Sequence, residues 1–248
     1  MSNLRTNTTV AHIAPFAVFM LFTALVPALA IKNSALPWWR SAPEHWVYPL
    51  QTIVCGALVI FFWKNYTFKP TRGFALATVF GIISIVCWIV PSELYRLLDI
   101  ADYGKKLDIP LLGLVARTEG FDPTIFEHDR YGYSLVIAMR FIRMVIVVPL
   151  VEEILWRGWL MRWLVTNDEK PFTSVAIGTH TWKAFIITTA CVVLVHQPED
   201  YLSALIFGSL MYFLCVRTKS LAACIWMHAV ANLLLGLYVM KTRQWGFW

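Results

Sequence analysis

Charged residues are scarce in this sequence, because Asp, Glu, Lys and Arg together make up only 15% of its 248 residues. The broad hydrophobic class makes up 58%, which is more than soluble domains contain. This composition excludes an ordinary soluble domain and predicts a protein that crosses a membrane several times. The formal net charge is +6, but the basic residues lie singly between apolar runs and form no stripe. Nucleic-acid binding is therefore not expected.

The sequence also lacks any cysteine pattern that predicts a disulfide framework or a zinc knuckle, since no C-x-x-C spacing occurs. All five cysteines lie in apolar runs, where we expect them to be small buried side chains. They are Cys55, Cys87, Cys191, Cys215 and Cys224.

Seven windows are apolar enough to cross a bilayer, which takes about 17–25 residues. The windows are 10–31, 47–63, 74–91, 133–151, 183–196, 201–216 and 221–240. The helix that contains Val151 is expected to continue to about Val165, and an eighth segment stays open. We therefore predict an all-α polytopic helix bundle with about seven or eight transmembrane helices, forming a single integral membrane domain over 1–248. We expect the first helix to be retained, with the N-terminus on the cytoplasmic side of a cell inner (plasma) membrane.

One sizeable polar insert interrupts these windows at about 92–132, and we expect it to lie on the surface as a loop or an amphipathic segment. Its charged residues include Lys105, Lys106, Arg117, Asp122 and Asp129.

The stretch VEEILWRGWL at 151–160 places three charges inside an apolar run. Each charge at the centre of a spanning helix costs about 2.5–3.5 kcal/mol, so such residues are expected to pair, to line a wet cavity or to do chemistry. Glu153 and Arg157 are four residues apart and share a helix face, which favours an ion pair. Glu152 points about 100° away and is left unpaired, as suits a general base that acts on water. Pro149 predicts an opened turn just before the acids.

A structural alternative is that both acids only partner nearby arginines in a polar network. These arginines are Arg140, Arg143, Arg157 and Arg162.

Further polar residues interrupt the apolar runs downstream. His196 ends one span before Gln197-Pro198, while His228 and Asn232 lie four residues apart in the last span. Such histidines are often only hydrogen-bonded to a neighbouring helix. Polar sites on three separate helices make a shared functional site the better interpretation.

The ordered set Glu-Glu-x-x-x-Arg, a histidine at a helix end and His-x-x-x-Asn resembles the CAAX-protease and bacteriocin-processing (CPBP, or Abi) family of intramembrane endopeptidases. The resemblance covers roughly 140–236, which we take as the catalytic core, and the sequence is similar to bacterial members. The family's second motif is usually Phe-x-x-x-His, and Val192 stands here in place of the Phe. VVPLVEEILWRGWLMRWL, RTKSLAACIWMHAVANLLLG and the terminal QWGFW are also similar to the subgroup found with exosortase and PEP-CTERM sorting systems.

The resemblance implies a CAAX-type glutamic endopeptidase without a cofactor, in which Glu152 and His196 activate water. His228 and Asn232 would then stabilise the oxyanion, and Glu153 with Arg157 would support the site. The implied partners are the lipid bilayer, an exosortase-type sorting system and a protein or peptide substrate, cut near its C-terminus or a membrane-proximal segment.

Other functions stay open at this point. Glu152, His196 and His228 are chemically reasonable zinc ligands, so a zinc-dependent membrane protease is one alternative. A non-catalytic membrane scaffold or immunity protein is another. A proton-coupled transporter using Glu152 ranks last, because the apolar stretches 74–90 and 202–216 offer little polar path.

Overall fold

The computed structural model describes residues 2–31, 33, 36–97, 109–115, 117, 120–166 and 168–248. Within these residues lie seven longer helices. Their bounds are α1 Thr8–Leu29, α2 Glu44–Phe61, α3 Phe74–Leu97, α4 Arg130–Thr166, α5 Trp182–Leu194, α6 Tyr201–Thr218 and α7 Leu221–Thr242. The described part of the chain contains no β-strand, only an isolated bridge between Ile109 and Leu114.

The predicted all-α membrane bundle is confirmed, and each of the seven predicted windows overlaps one of the seven helices. Five helices are long and apolar enough to cross a membrane by length and composition, namely α1, α3, α4, α7 and α6 with the turn before it. The helix α5 is apolar but has only 13 residues. The helix α2 has 18 residues, and its polar members include Glu44, His45 and Gln51.

The longest helix, α4, positions the acids of the VEEILWRGWL stretch. It begins where the Asp129 side chain accepts a hydrogen bond from the backbone N–H of Tyr131, and it runs for 37 residues. At 1.5 Å per residue it is about 55 Å long, which exceeds a hydrocarbon core of about 30 Å. Two π-helical segments, Arg143–Val147 and Ile154–Leu160, flank the α-helical segment Val148–Glu153. The opened turn expected near Pro149 is therefore present on both sides of the acids.

The helices α6 and α7 are joined by a tight turn that fixes the start of α7. Lys219 adopts a left-handed conformation with φ of 55°, which ends α6. The Ser220 side chain then accepts a hydrogen bond from the backbone N–H of Ala223 and caps α7. His228 and Asn232 of α7 lie two to three turns beyond this cap, at the level of the bundle interior.

Helix α4 packs against α1, α2, α5 and α7, while α3 packs against α6 and α7. The outward faces of these helices expose large apolar side chains, as expected for surfaces in contact with lipid. Examples are Leu21, Ile53, Ile60, Val86, Leu135, Ile146, Ile186, Phe213 and Leu237.

One charged side chain of the polar insert is more deeply buried than a surface segment predicts. Helix α3 continues to Leu97, so the polar segment starts later than residue 92, and Lys105 and Lys106 lie outside the described residues. The Arg117 side chain is only 5% exposed, because its guanidinium group pairs with Asp200 at 2.7 Å and lies over the Phe247 ring. An arginine with such partners can be buried, and the charge count alone did not reveal them.

Candidate active site

The four residues predicted to be catalytic line one cavity of about 320 Å³. Glu152 comes from the middle of α4, His196 from the turn after α5, and His228 and Asn232 from α7. The volume lies near the lower end of the range of ligand pockets, about 300–1,000 Å³. The structure thus brings together residues separated by up to 80 positions, while Glu153 and Arg157 lie behind the cavity wall and do not line it.

Glu153 is fully buried and is held by two partners. Arg157 Nη1 lies 2.9 Å from Glu153 Oε2, so the ion pair that the spacing predicts is present. His228 Nδ1 lies 2.9 Å from Glu153 Oε1. A carboxylate paired with an arginine can only accept, so His228 donates from Nδ1 and its Nε2 is the ring nitrogen left for the cavity. This second contact was not predictable from the sequence, because no spacing rule connects positions on different helices.

Glu152 is placed differently from its neighbour. Its side chain is half-buried in the cavity wall and makes no hydrogen bond to any of the described residues. An electrostatic interaction connects Glu152 with the guanidinium group of Arg143. One acid is therefore fixed by an ion pair, and the other has its oxygens open to the cavity.

His196 is oriented by the helix that it follows. Its Nδ1 lies 2.7 Å from the carbonyl oxygen of Val192, and its ring meets Trp88 edge to face at 5.4 Å. Since a carbonyl can only accept, His196 donates from Nδ1 and presents Nε2 as an acceptor when the ring is neutral. Val192 stands where the resemblance expects Phe, but it orients His196 through a backbone carbonyl, which any residue type supplies.

Asn232 bridges α7 to the first π-helical segment of α4. Its Nδ2 donates to the carbonyl oxygen of Met144 at 2.6 Å. In a π-helical register, residue 149 would donate to that carbonyl, but Pro149 has no backbone N–H. The side chain of Asn232 takes the place of the missing donor, and its second N–H and its oxygen remain available.

The rest of the cavity wall was not predicted. Among its aromatic residues, Phe207 comes from α6, within the motif region. The others come from helices outside that region and from the C-terminal segment, and they are Phe16, Phe19, Tyr48, Trp88, Phe247 and Trp248. Arg140 and Arg143 of α4 also line it. The one sequence signal for these arginines is their position in a membrane helix, and this signal predicts only a role as partners of the acids.

The arginine network proposed as a structural alternative forms only in part. Arg157 alone of the four pairs with a carboxylate among the described residues. Arg162 instead donates to the backbone carbonyl oxygens of Gly158, Thr173 and Val175.

The zinc alternative was tested against the same geometry. Among the described residues, no three side chains of His, Cys, Asp or Glu come together as a metal site requires. The set Glu152, His196 and His228 therefore does not fit a zinc ion as these side chains stand.

Comparison with known families adds an independent finding. Residues 134–234 match the family model described as type II CAAX prenyl endopeptidase Rce1-like. These residues form an Rce1-like domain. The family resemblance inferred from the motifs is thereby confirmed over this range, while the exosortase-linked subgroup stays a prediction. No curated protein and no solved structure matches the chain.

The Rce1-like domain contains all four of Glu152, His196, His228 and Asn232 but does not enclose the cavity by itself. Helices α1, α2 and α3 and the C-terminal segment contribute Phe16, Tyr48, Trp88 and Trp248 from outside the matched range. The chain therefore completes the site with residues that the family match does not cover.

Proposed function

We propose that this protein is an intramembrane endopeptidase of the glutamic CAAX type, in which water attacks the peptide bond directly. The Rce1-like domain supports peptide-bond hydrolysis in the membrane, and the four cavity residues supply groups for each step. The observation that carries the proposal is the cavity itself, which gathers an unbonded carboxylate, a histidine acceptor and an amide donor from three places in the sequence.

The chemistry follows from the orientation of each group. Glu152 and His196 Nε2 accept hydrogen bonds from a water molecule, and one of them takes its proton as the oxygen attacks the carbonyl carbon. The second N–H of Asn232 and a protonated Nε2 of His228 donate to the oxyanion of the tetrahedral intermediate. When the C–N bond breaks, the proton returns to the leaving amine. The products are a new carboxyl terminus and a new amino terminus.

Glu153 and Arg157, which lie behind the cavity wall, have a positioning role in this scheme. Arg157 neutralises Glu153, and Glu153 in turn fixes the ring of His228 through Nδ1. A histidine whose far nitrogen is held by a carboxylate keeps one ring orientation, as an oxyanion donor requires.

The substrate that we propose is the C-terminal or membrane-proximal segment of a protein or peptide, in the inner (plasma) membrane of a bacterium. An exosortase-type sorting system is the proposed partner pathway, supported by the similarity of the segments around 147–164 and 217–236 and of QWGFW. The cavity gives one further restriction, because its aromatic wall favours apolar side chains on either side of the cut.

The decisive experiment compares the wild type with Glu152→Gln, purified in the same detergent and incubated with a pool of apolar peptides. We expect the wild type to produce new termini that mass spectrometry detects, and Glu152→Gln to produce none while melting at the same temperature. The control is Glu169→Gln, the same substitution at an exposed position on the chain. Equal cleavage by Glu152→Gln would refute the mechanism, and a folded wild type without cleavage of any peptide would favour the scaffold alternative.

A further inference from the structure

Arg140 is a buried cation without a counter-ion among the residues that the structure describes. Arg140 is only 8% exposed and lines the cavity. Its Nε has no hydrogen-bond partner among the described residues. No carboxylate among the described residues pairs with it, and its guanidinium group lies instead near the rings of Phe121, Tyr48 and Trp248, at 4.9–5.6 Å. Ring faces attract a cation less strongly than a carboxylate does, so the guanidinium group retains donors for an anion.

Arg143 extends the same cationic region by nearly one turn of α4. Its Nε donates to Gln51 Oε1 at 2.7 Å, and its guanidinium group lies over the Tyr48 ring at 4.2 Å. The two guanidinium groups are close enough to repel each other. Two like charges side by side in a membrane protein are costly, and this placement indicates a functional site.

The acids of the cavity do not neutralise this pair. Only Glu152 and Asp200 line it among the described residues, and Asp200 is already paired with Arg117 at 2.7 Å. An electrostatic interaction links Glu152 to Arg143, and no carboxylate among the described residues forms an ion pair with Arg140. The cavity is thus cationic at the Arg140 end and carries the catalytic carboxylate toward the other.

We infer that Arg140 and Arg143 bind the free C-terminal carboxylate of the peptide substrate. This inference rests on the proposed endopeptidase function and assigns its substrate selectivity to residues outside the motif set. A C-terminal carboxylate is the one anion that peptides of any sequence share, and arginine binds it through two parallel hydrogen bonds. The chain would therefore select for an unblocked C-terminus.

The helix also sets the position of the cut. Arg140 precedes Glu152 by twelve residues on one helix, a rise of about 18 Å. An extended peptide advances about 3.3 Å per residue, so a terminus held at the arginines places the attacked bond within about five residues of it. Cleavage far from the C-terminus is not expected.

The test first measures binding without turnover, using the full-length Glu152→Gln chain in an uncharged detergent. The probes are one N-acetylated Leu/Ala peptide as its free acid and as its C-terminal amide. The readout is the change in tryptophan fluorescence on binding, to which Trp88 and Trp248 of the cavity wall contribute. We expect the acid to bind at least about tenfold more tightly than the amide, as loss of a charge-assisted hydrogen bond implies. Adding Arg140→Gln or Arg143→Gln should bring this ratio close to one.

The matched control is Arg130→Gln, the same substitution on the same helix at an exposed position outside the cavity, which should leave the ratio unchanged. Arg140→Lys keeps the charge and should retain part of the preference. Each ratio is measured within one protein preparation, so partial misfolding of a variant does not alter it. Chains with Glu152 intact then report the distance of the cut from the terminus.

Three results would overturn the inference. The first is that the Glu152→Gln chain binds the acid and the amide equally, or binds neither of them. The second is a ratio of the two affinities that Arg140→Gln leaves unchanged. The third is Arg140-dependent binding of phosphatidylglycerol in place of the peptide acid. Cleavage that depends on Glu152 but ignores the terminal group would refute the carboxylate site and leave the endopeptidase function standing. Preferential binding of the acid without any cleavage would support the carboxylate site and refute the endopeptidase function.

Discussion

Replacing Arg157 by alanine removes the cation that neutralises a carboxylate with no solvent exposure. Glu153 would keep His228 as its one remaining partner, and the second oxygen that now faces Arg157 at 2.9 Å would be left without a charge partner. Breaking a buried ion pair in this way costs about 3–5 kcal/mol. In a chain of this length, each 1 kcal/mol lowers the melting temperature by about 2–4 °C, so Arg157→Ala should melt about 6–20 °C lower.

A double variant separates the charge from the packing. Glu153→Leu combined with Arg157→Leu removes both charges and fills the site with apolar atoms, which is often neutral for stability. We expect this double variant to recover most of the lost melting temperature, as measured by thermal unfolding in detergent and by yield. Cleavage should not recover, because His228 has lost the carboxylate that orients it.

Two results would refute this reasoning. An Arg157→Ala protein with normal yield and melting temperature, but without activity, would assign Arg157 to the catalytic group. A double variant as unstable as the single one would show that the side chains contribute through packing and not through paired charge.

Three other predictions concern the remaining groups of the site. Asn232→Ala should lower turnover by about 10²–10³-fold, as loss of one oxyanion donor does. It should also cost about 1 kcal/mol of stability, because the Met144 carbonyl loses its donor. Unchanged kinetics would exclude the oxyanion role. Extensive chelation should leave cleavage unchanged, whereas about one equivalent of bound zinc, with activity restored only when it is added back, would replace the glutamate mechanism. Val192→Phe should destabilise the protein by about 1–3 kcal/mol through overpacking near Gly208, with kcat unchanged in the folded fraction, since the carbonyl that orients His196 is retained.

The sequence predicted the helices well because their signal is local. Apolar length fixed the seven windows, and the extension of α4 to about residue 165 agrees with its end at Thr166. The pairing of Glu153 with Arg157 was predictable for the same reason, since residues four apart on a helix are neighbours. Pro149 likewise predicted an irregular helix next to the acids, but it did not predict that π-helical segments would flank them on both sides.

Contacts between distant segments were beyond such rules. The link from His228 to Glu153 depends on how α7 packs against α4, and the bond from Asn232 to Met144 depends on a carbonyl that a proline leaves without a donor. The structural alternative made Arg140 a partner of the acids, whereas its guanidinium group lies near aromatic rings that come from α2, the polar insert and the C-terminal segment. The catalytic roles themselves stay predictions that the variants above test.

The second π-helical segment, Ile154–Leu160, makes α4 tolerant of a change in length in a way that a regular helix is not. Each residue of a regular α-helix turns the chain by about 100°, so one residue lost there rotates one end of the helix against the other by about this angle. A π turn contains one residue more than the α turn that it replaces, and the wider turn takes up that residue. Deleting a single residue in Ile154–Leu160 would therefore restore regular α-helix and keep Arg162 close to its present alignment with Glu152 and Glu153. Among homologous chains, a single-residue gap in this segment should be compatible with the same site, whereas a gap within Val148–Glu153 marks a chain with a different site.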